Sequence, residues 1–414
     1  MKALKVKENI HWIGANVSTN DLFEGIWPIP DGVTINSYVV KGENFAIIDL
    51  IRDWAEASSY FLEELKSLGI SMKDVDYIVL NHIEPDHTGD LKTLFDMAEK
   101  AQIVTTKKGK PLVEQFYGCT KEDDIRTVES GDSIDLGDGK KLTFYEIPNV
   151  HWPETMATYE EQTKTLFSCD AFGSFGALRG SLFDDEINED YHEFYERESL
   201  RYYANIVGPF SNFVLKAIDA LGPLEIDTIC PSHGLVWRGD PGRIVDRYKN
   251  YANYMKDYAE PKITVVWGSM YGNTELGLRA VLRGIAREGV PVEVYRVPEE
   301  NISYVLSSAW ESAGLVFGMP TYEYKMYPPM RNVVEMLAEK RAYKKKVFRF
   351  GSYGWSGGAQ REFDQKTEKL KWDFVEPVEF KGRPFDHDLE LLEKRGKELA
   401  KQVKEIPVKL KEFQ

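Results

Sequence analysis

The sequence predicts an α/β protein of two domains, the second built on a doubly wound parallel sheet. Three observations carry this expectation. In the first half, strand-like apolar runs are interleaved with helix-periodic stretches. From residue 262 onward, strands and helices alternate regularly, as βαβ units covered on both faces of a sheet require. Finally, 414 residues exceed what a single core of typical size accommodates.

The early strands are expected at FAIIDL (45–50), YIVLN (77–81), QIVTT (102–106) and LTFYEI (142–147), with helices near 54–67 and 89–100. A longer segment, 189–221, spaces Tyr, Phe, Leu and Ile helically, and Pro209 marks a break within it. The stretch YMKDYAEPK (254–262) is polar and contains Pro261, so domains are expected at 1–254 and 260–414. The second domain reads as ITVVW, a helix near 273–288, VEVYRV, a helix near 301–311, GLVFG, a helix near 327–340, KVFRFGS, a helix near 358–371 and a last helix from 388.

Charge narrows the function classes. Lys and Arg number 52 against 67 Asp and Glu, a net −15, which opposes a broad footprint for nucleic acid or anionic membrane. No apolar run approaches the ~18 residues of a membrane span, and MKALKVKENIHWIG lacks a signal-like apolar core, so the expected location is cytoplasmic. The three cysteines, Cys119, Cys169 and Cys230, form no CxxC pair. Neither a disulfide framework nor a four-cysteine iron site fits, so any rubredoxin-type centre is expected on another protein. Cys169 and Cys230 are read as core thiols, because neighbours in a strand point to opposite faces.

The chemistry is concentrated at strand ends. His82-x-Glu84-x-Asp86-His87 packs four possible metal ligands into six residues where DYIVLN gives way to a loop. Buried together, such groups repel and desolvate one another, and a cation is the simplest way to hold carboxylates ionised beside neutral imidazoles. Taken alone, an HxE pair fits a polar loop as well. Downstream, His151 in NVHWPET, Asp170 in LFSCDAFG and His233 in TICPSHG each follow an apolar run, which brings further ligands to one rim. Seven candidates exceed one tetrahedral ion but suit two ions sharing a bridging carboxylate. Four imidazoles, three carboxylates and no thiolate fit iron, manganese or zinc, and the carboxylates favour iron or manganese.

A second site is expected on the C-terminal sheet edge. In VVWGSMYGNTE, Ser269, Met270, Tyr271, Gly272, Asn273 and Thr274 form a hydroxyl- and amide-rich loop opening a helix, suited to a phosphate without a lysine. It lacks the GK[ST] ending of an NTPase loop, and no GxGxxG fingerprint supports direct NAD(P)H use. Two later loops contribute Pro320, Thr321 and Tyr322, then Ser352, Tyr353, Gly354, Trp355, Ser356, Gly357 and Gly358. There Tyr322, Tyr353 and Trp355 can flank an isoalloxazine while glycine-rich backbone meets its polar edge.

The ordered ligand set resembles the diiron site of the flavodiiron proteins, whose first domain is a metallo-β-lactamase-like αββα sandwich. Where hydrolytic relatives commonly carry His, this chain carries Glu84, as the flavodiiron branch does. The second half resembles a flavodoxin domain binding FMN. The resemblance implies that His82, Glu84 and His151 hold one iron, Asp86, His87 and His233 the other, and Asp170 bridges them. DGVTINSY (31–38) and RYYANIVGPFSN (201–212) are also similar to the family, which implies Tyr202 or Tyr203 near the metals. It further implies reduction of dioxygen to water or of nitric oxide to nitrous oxide, a head-to-tail homodimer, and an external donor such as rubredoxin. The competing expectations are a two-zinc hydrolase on the same scaffold and a flavodoxin-type electron carrier with a structural or sensory metal.

Overall fold

A computed structural model describes residues 2–118 and 124–409; Cys119 lies outside them. The chain divides into two compact units. One comprises the chain up to Tyr202 together with Asn212–Lys249; the other comprises Tyr203–Ser211 and the chain from Asn250.

The first unit contains a seven-stranded and a five-stranded sheet. The larger runs, in spatial order, Leu4–Lys7, Ile10–Trp12, Tyr38–Lys41, Phe45–Ile48, Val75–Val79, Gln102–Thr106 and Ile125–Val128. The smaller runs Ser133–Gly137, Lys140–Glu146, Met156–Glu160, Thr165–Cys169 and Thr228–Pro231. Alternate residues of the two sheets share a core: Val40, Ile48, Val79 and Val104 from one pack with Leu142, Phe144, Phe167 and Cys230 from the other. Stacking the inner faces in this way brings strand ends of both sheets to a common rim.

Departures from the sequence expectations have local causes. The run FAIIDL stops at Ile48 because Asp49 turns to φ 54°, and the first helix waits until Ala57 because Ala55 and Glu56 also have positive φ. The segment 189–221 breaks before Pro209. Helix Glu189–Tyr202 passes into a π turn at Tyr203–Val207 and a 3₁₀ turn at Gly208–Phe210, and helix resumes at Ser211–Leu221. Tyr203 packs against Tyr251 and Trp310 at ring distances of 5.5 and 6.0 Å, so packing sets the break earlier than proline chemistry alone.

The second unit is a five-stranded, wholly parallel sheet in the order Val292–Arg296, Glu260–Trp267, Ser312–Gly318, Lys346–Tyr353 and Asp373–Lys381. The last strand is absent from the sequence expectations. It lies at an edge, contains Pro377 and buries only Val375, Val378 and Phe380, so its apolar residues do not alternate cleanly. The cause is a bulge: Phe348 pairs with Val375, but Phe350 pairs with Val378. No helix among the described residues is long and apolar enough to cross a membrane.

Helices Asn273–Ala286 and Asp386–Lys404 approach through Gly284 and Gly396. A Cβ on Gly284 would lie 2.0 Å from the Glu393 carbonyl oxygen, and one on Gly396 2.5 Å from that of Val281. Gly284→Ala is therefore expected to push the helices apart at a cost of about 1–3 kcal/mol, visible as a lower denaturation midpoint of the flavodoxin-like unit.

Candidate active site

The rim ligands sit where strands end. His82 follows Val75–Val79, Asp170 directly follows Thr165–Cys169, His233 lies just beyond Thr228–Pro231, and His151 sits in the turn after Lys140–Glu146. Glu84 has extended backbone and precedes the short helix Pro85–Thr88, where Pro85 at the first turn sacrifices no needed N–H. Several neighbours are left-handed: Asp49, Asn149, Cys169 and Phe172 have φ between 52° and 69°. Such sharp endings turn consecutive side chains out of strand alternation. Gly234, at φ 83°, is required after His233, since a Cβ there would meet Ser174 Oγ at 2.1 Å.

All seven candidate ligands converge. His82, Glu84, His151 and Asp170 offer ligand atoms within 4.8 Å of one another, and Asp86, His87 and His233 form a second such group. Asp170 faces both. Its Oδ2 lies 3.5 Å from Nε2 of His82 and of His151, while Oδ1 lies 3.0 Å from Nε2 of His87 and 3.5 Å from that of His233. Glu84 Oε2 is 2.9 Å from His151 Nε2, and Asp86 Oδ2 is 3.2 Å from His233 Nε2.

These short distances are not a closed hydrogen-bond network. Both Asp170 oxygens, Asp86 Oδ1 and Nε2 of His87 and His233 are buried with no directed partner among the described residues. Buried polar atoms are nearly always paired, so groups this close yet aimed past one another fit a cation at the points they share. The donor set therefore fits a two-metal centre.

Electrostatics agree. Burial opposes charging His87, but Asp86 and Asp170 override it and push the imidazole up to about 9. Burial likewise disfavours a charged His82, yet Glu154, Glu84 and Asp170 raise it well above its ordinary value. Despite burial, the facing imidazoles hold the Glu84 and Asp170 carboxyls well below their usual range. In the metal-free protein these carboxylates thus keep protons on the rings.

Two of the imidazoles are oriented from behind. His82 Nδ1 donates to Glu154 Oε1 at 2.6 Å, and His233 Nδ1 donates to the Thr34 carbonyl at 2.7 Å, leaving each Nε2 for the centre. Glu154 also accepts from the Ile83 N–H at 3.1 Å and is fully buried. Sequence reasoning missed it, because nothing in its spacing from His82 marks a carboxylate that orients a ligand. Asp49 was missed too. It accepts from Asn81 N–H and Nδ2 at 2.7 and 3.1 Å, and burial raises its carboxyl to about 6.

Tyr202, rather than Tyr203, faces this cluster: its ring lies 5.7 Å from His233, whereas Tyr203 bonds to Ser211. Phe23 sits edge-on to His233 at 5.5 Å, and with Trp54, Arg52 and Glu24 it lines a cavity of about 170 Å³ reaching Glu84 and Asp86. Cys169 and Cys230 are both buried thiols. The alternation argument fails for Cys169, however, because its left-handed backbone brings its sulfur within 4.8 Å of ligand atoms on His87 and Asp170.

In the second unit, the three loops expected to hold a flavin leave adjacent strands at their carboxyl ends, after Trp267, Gly318 and near Tyr353. Ser269 Oγ accepts from the Gly272 N–H at 2.9 Å, which shapes the loop opening the helix at Asn273. Thr274 and Ser352 are buried with hydroxyls 3.4 Å apart, joining the first loop to the third. Thr321 Oγ1, beside buried Pro320, accepts from the Ala359 N–H at 3.4 Å. Gly358, at φ 141°, passes so close to Tyr324 that a Cβ would lie 2.0 Å from its carbonyl oxygen. Ser356, Gly354 and Gly357 complete that loop, with Tyr353 half-buried. Tyr271 is 87% exposed, Trp355 80%, Met270 40% and Tyr322 38%. Side chains this exposed are not core packing, and planar apolar surface suits a flavin ring as the hydroxyl-lined loop suits its phosphate.

The fold and the two sites define a class: a metal-binding β-lactamase-like domain joined to a flavodoxin-like domain in one chain. Residues 33–234 match the family described as ODP family beta lactamase, and residues 265–396 match Flavodoxin. An anaerobic nitric oxide reductase flavorubredoxin from Escherichia coli O1:K1 is 34% identical over 405 residues, covering 97% of this chain and 82% of that protein. The rubredoxin oxygen:oxidoreductase of Desulfovibrio gigas superposes with a TM-score of 0.91 at 28% identity, over 97% of this chain and 99% of the other. The flavodiiron protein of Giardia intestinalis also gives 0.91, at 26% identity over 97% of each chain. A flavoprotein from Thermotoga maritima gives 0.86 at 30% identity, over 97% and 98%. The chain belongs to the flavodiiron protein family.

Two measurements test the site. Glu154→Gln is expected to weaken metal binding about 10–100-fold, because His82 loses its ionised anchor. Because His87 stays protonated up to about 9 in the metal-free protein, metal must displace that proton. Metal affinity should therefore rise as pH increases toward 9, with proton release on loading seen by an indicator dye in weak buffer.

Proposed function

We propose that this protein is an oxidoreductase that reduces dioxygen to water, nitric oxide to nitrous oxide, or both, at a non-haem diiron centre supplied with electrons through FMN. The observation that carries the reading is Asp170, whose two oxygens each face a different ligand group. In this reading His82, Glu84 and His151 hold one iron, Asp86, His87 and His233 the other, and Asp170 spans them. Two irons and one FMN together carry the four electrons that convert dioxygen and four protons to two waters; two electrons and two protons convert two nitric oxides to nitrous oxide and water.

The protein's own residues have separable tasks. Glu154 and the Thr34 carbonyl fix two imidazoles, the carboxylates offset metal charge, and Phe23 with Trp54 presents an apolar wall beside the approach to Glu84 and Asp86. The loops Ser269–Thr274, Pro320–Tyr322 and Ser352–Gly358 are assigned to FMN, with the domain boundary between residues 254 and 260. An external donor such as rubredoxin supplies electrons, in keeping with the names of the relatives. A head-to-tail homodimer in the cytoplasm completes the proposal; a fully active monomer in sedimentation would overturn the dimer. The two-zinc hydrolase is disfavoured by Glu84 and by a flavodoxin domain that hydrolysis does not use.

Purified protein should carry iron and FMN and, with reduced rubredoxin and its reductase, consume added oxygen, or nitric oxide under anaerobic conditions. Glu84→Ala and Asp170→Ala should each lose iron and gas consumption while retaining FMN. Iron content unchanged in both variants would refute the ligand assignment, and a colourless zinc protein with esterase turnover would refute the function.

A further inference from the structure

Arg349 lies in the strand Lys346–Tyr353 below the third proposed flavin loop and is only 1% exposed. Its guanidinium reaches up to where the loops leave the sheet. A Cβ built on Gly351 would be 3.4 Å from Arg349 Nη2 and would collide with the carbonyl of Met319, the residue before Pro320. Its place on the sheet is made by the edge-strand bulge, where Glu376 and Pro377 together stand opposite Arg349 alone.

The charge on this arginine is unevenly matched. Nη1 donates to Glu379 Oε1 at 2.6 Å and to Gln360 Oε1 at 3.4 Å, whereas Nε and Nη2 are buried without partners among the described residues. Glu379 is 27% exposed by side chain and, with Gln360, Arg361 and Asp364, lines an open cavity of about 550 Å³. Glu379 and Asp364 border that opening and are screened there, as the exposed Arg361 is, while the Arg349 guanidinium is buried. Among the described residues the side of the guanidinium that carries Nε and Nη2 is thus left unmatched beneath the Met319 and Ser352 loops.

We infer that Arg349 is an electrostatic positioning residue that raises the reduction potential of the flavin, with Glu379 setting how much of its charge is felt. The inference rests on the FMN assignment above. Reduction of a flavin by two electrons from an external reductant, with one proton from solvent, leaves one additional negative charge on the ring. A dry guanidinium nearby favours that product. At an effective dielectric near 20, a unit charge acts over about 12 Å with roughly tenfold effect on an equilibrium.

The test uses full-length, FMN-loaded protein titrated anaerobically with dithionite against a reference dye. Arg349→Gln should lower the two-electron midpoint by the equivalent of about tenfold, roughly 30 mV, and Glu379→Gln should raise it. Arg349→Lys should stay close to wild type. A merely structural clip predicts shifts of one sign in both neutral variants, and that result, or no shift in either, overturns the inference. If Arg349→Gln does not fold, Glu379→Gln decides alone, and a midpoint that fails to rise is refuting. Wild-type protein that binds no FMN would instead sink the cofactor reading.

Discussion

The structure is organised around a buried carboxylate that needs positive charge on both sides of it. Asp170 places one oxygen before His82 and His151 and the other before His87 and His233, yet neither oxygen has a directed hydrogen bond among the described residues. An ionised group in that position is tolerable only if cations complete it. The left-handed turns at the strand ends, the anchoring of His82 by Glu154 and the burial of the whole cluster make sense as means of holding donors at points they would otherwise avoid.

The two ligand groups are buttressed unequally. His82 is fixed by an ionised partner and His233 by a carbonyl, whereas Nδ1 of His87 has no partner among the described residues. His87 therefore depends for its orientation on packing and on the centre itself. The second candidate site contrasts with the first: it is open, rich in hydroxyls and edged by exposed aromatic rings.

Much of this was legible in the sequence because its signals are strong where strands end. Apolar runs located QIVTT to the residue, and the seven candidate ligands that converge in the structure stood out at or soon after strand ends. Less legible features arise from pairing across space. The edge strand Asp373–Lys381 hid because a bulge opposite Arg349 spoils its alternation and Pro377 argues against a strand. Glu154 hid because a carboxylate that orients a ligand carries no spacing rule of its own. The orientation of Cys169 was misjudged because strand alternation was extended one residue too far, into a left-handed turn.

The spread of the ligands along the chain has a consequence for biogenesis. The first group spans His82 to Asp170, but the second is incomplete without His233, on a strand that pairs in parallel with the one bearing Asp170 at its end. A polypeptide emerging from the ribosome can therefore assemble neither the full centre nor that neighbouring strand until nearly the whole first unit has been made. Any metal held by this set would enter late and would join two sheets that the chain builds at different times.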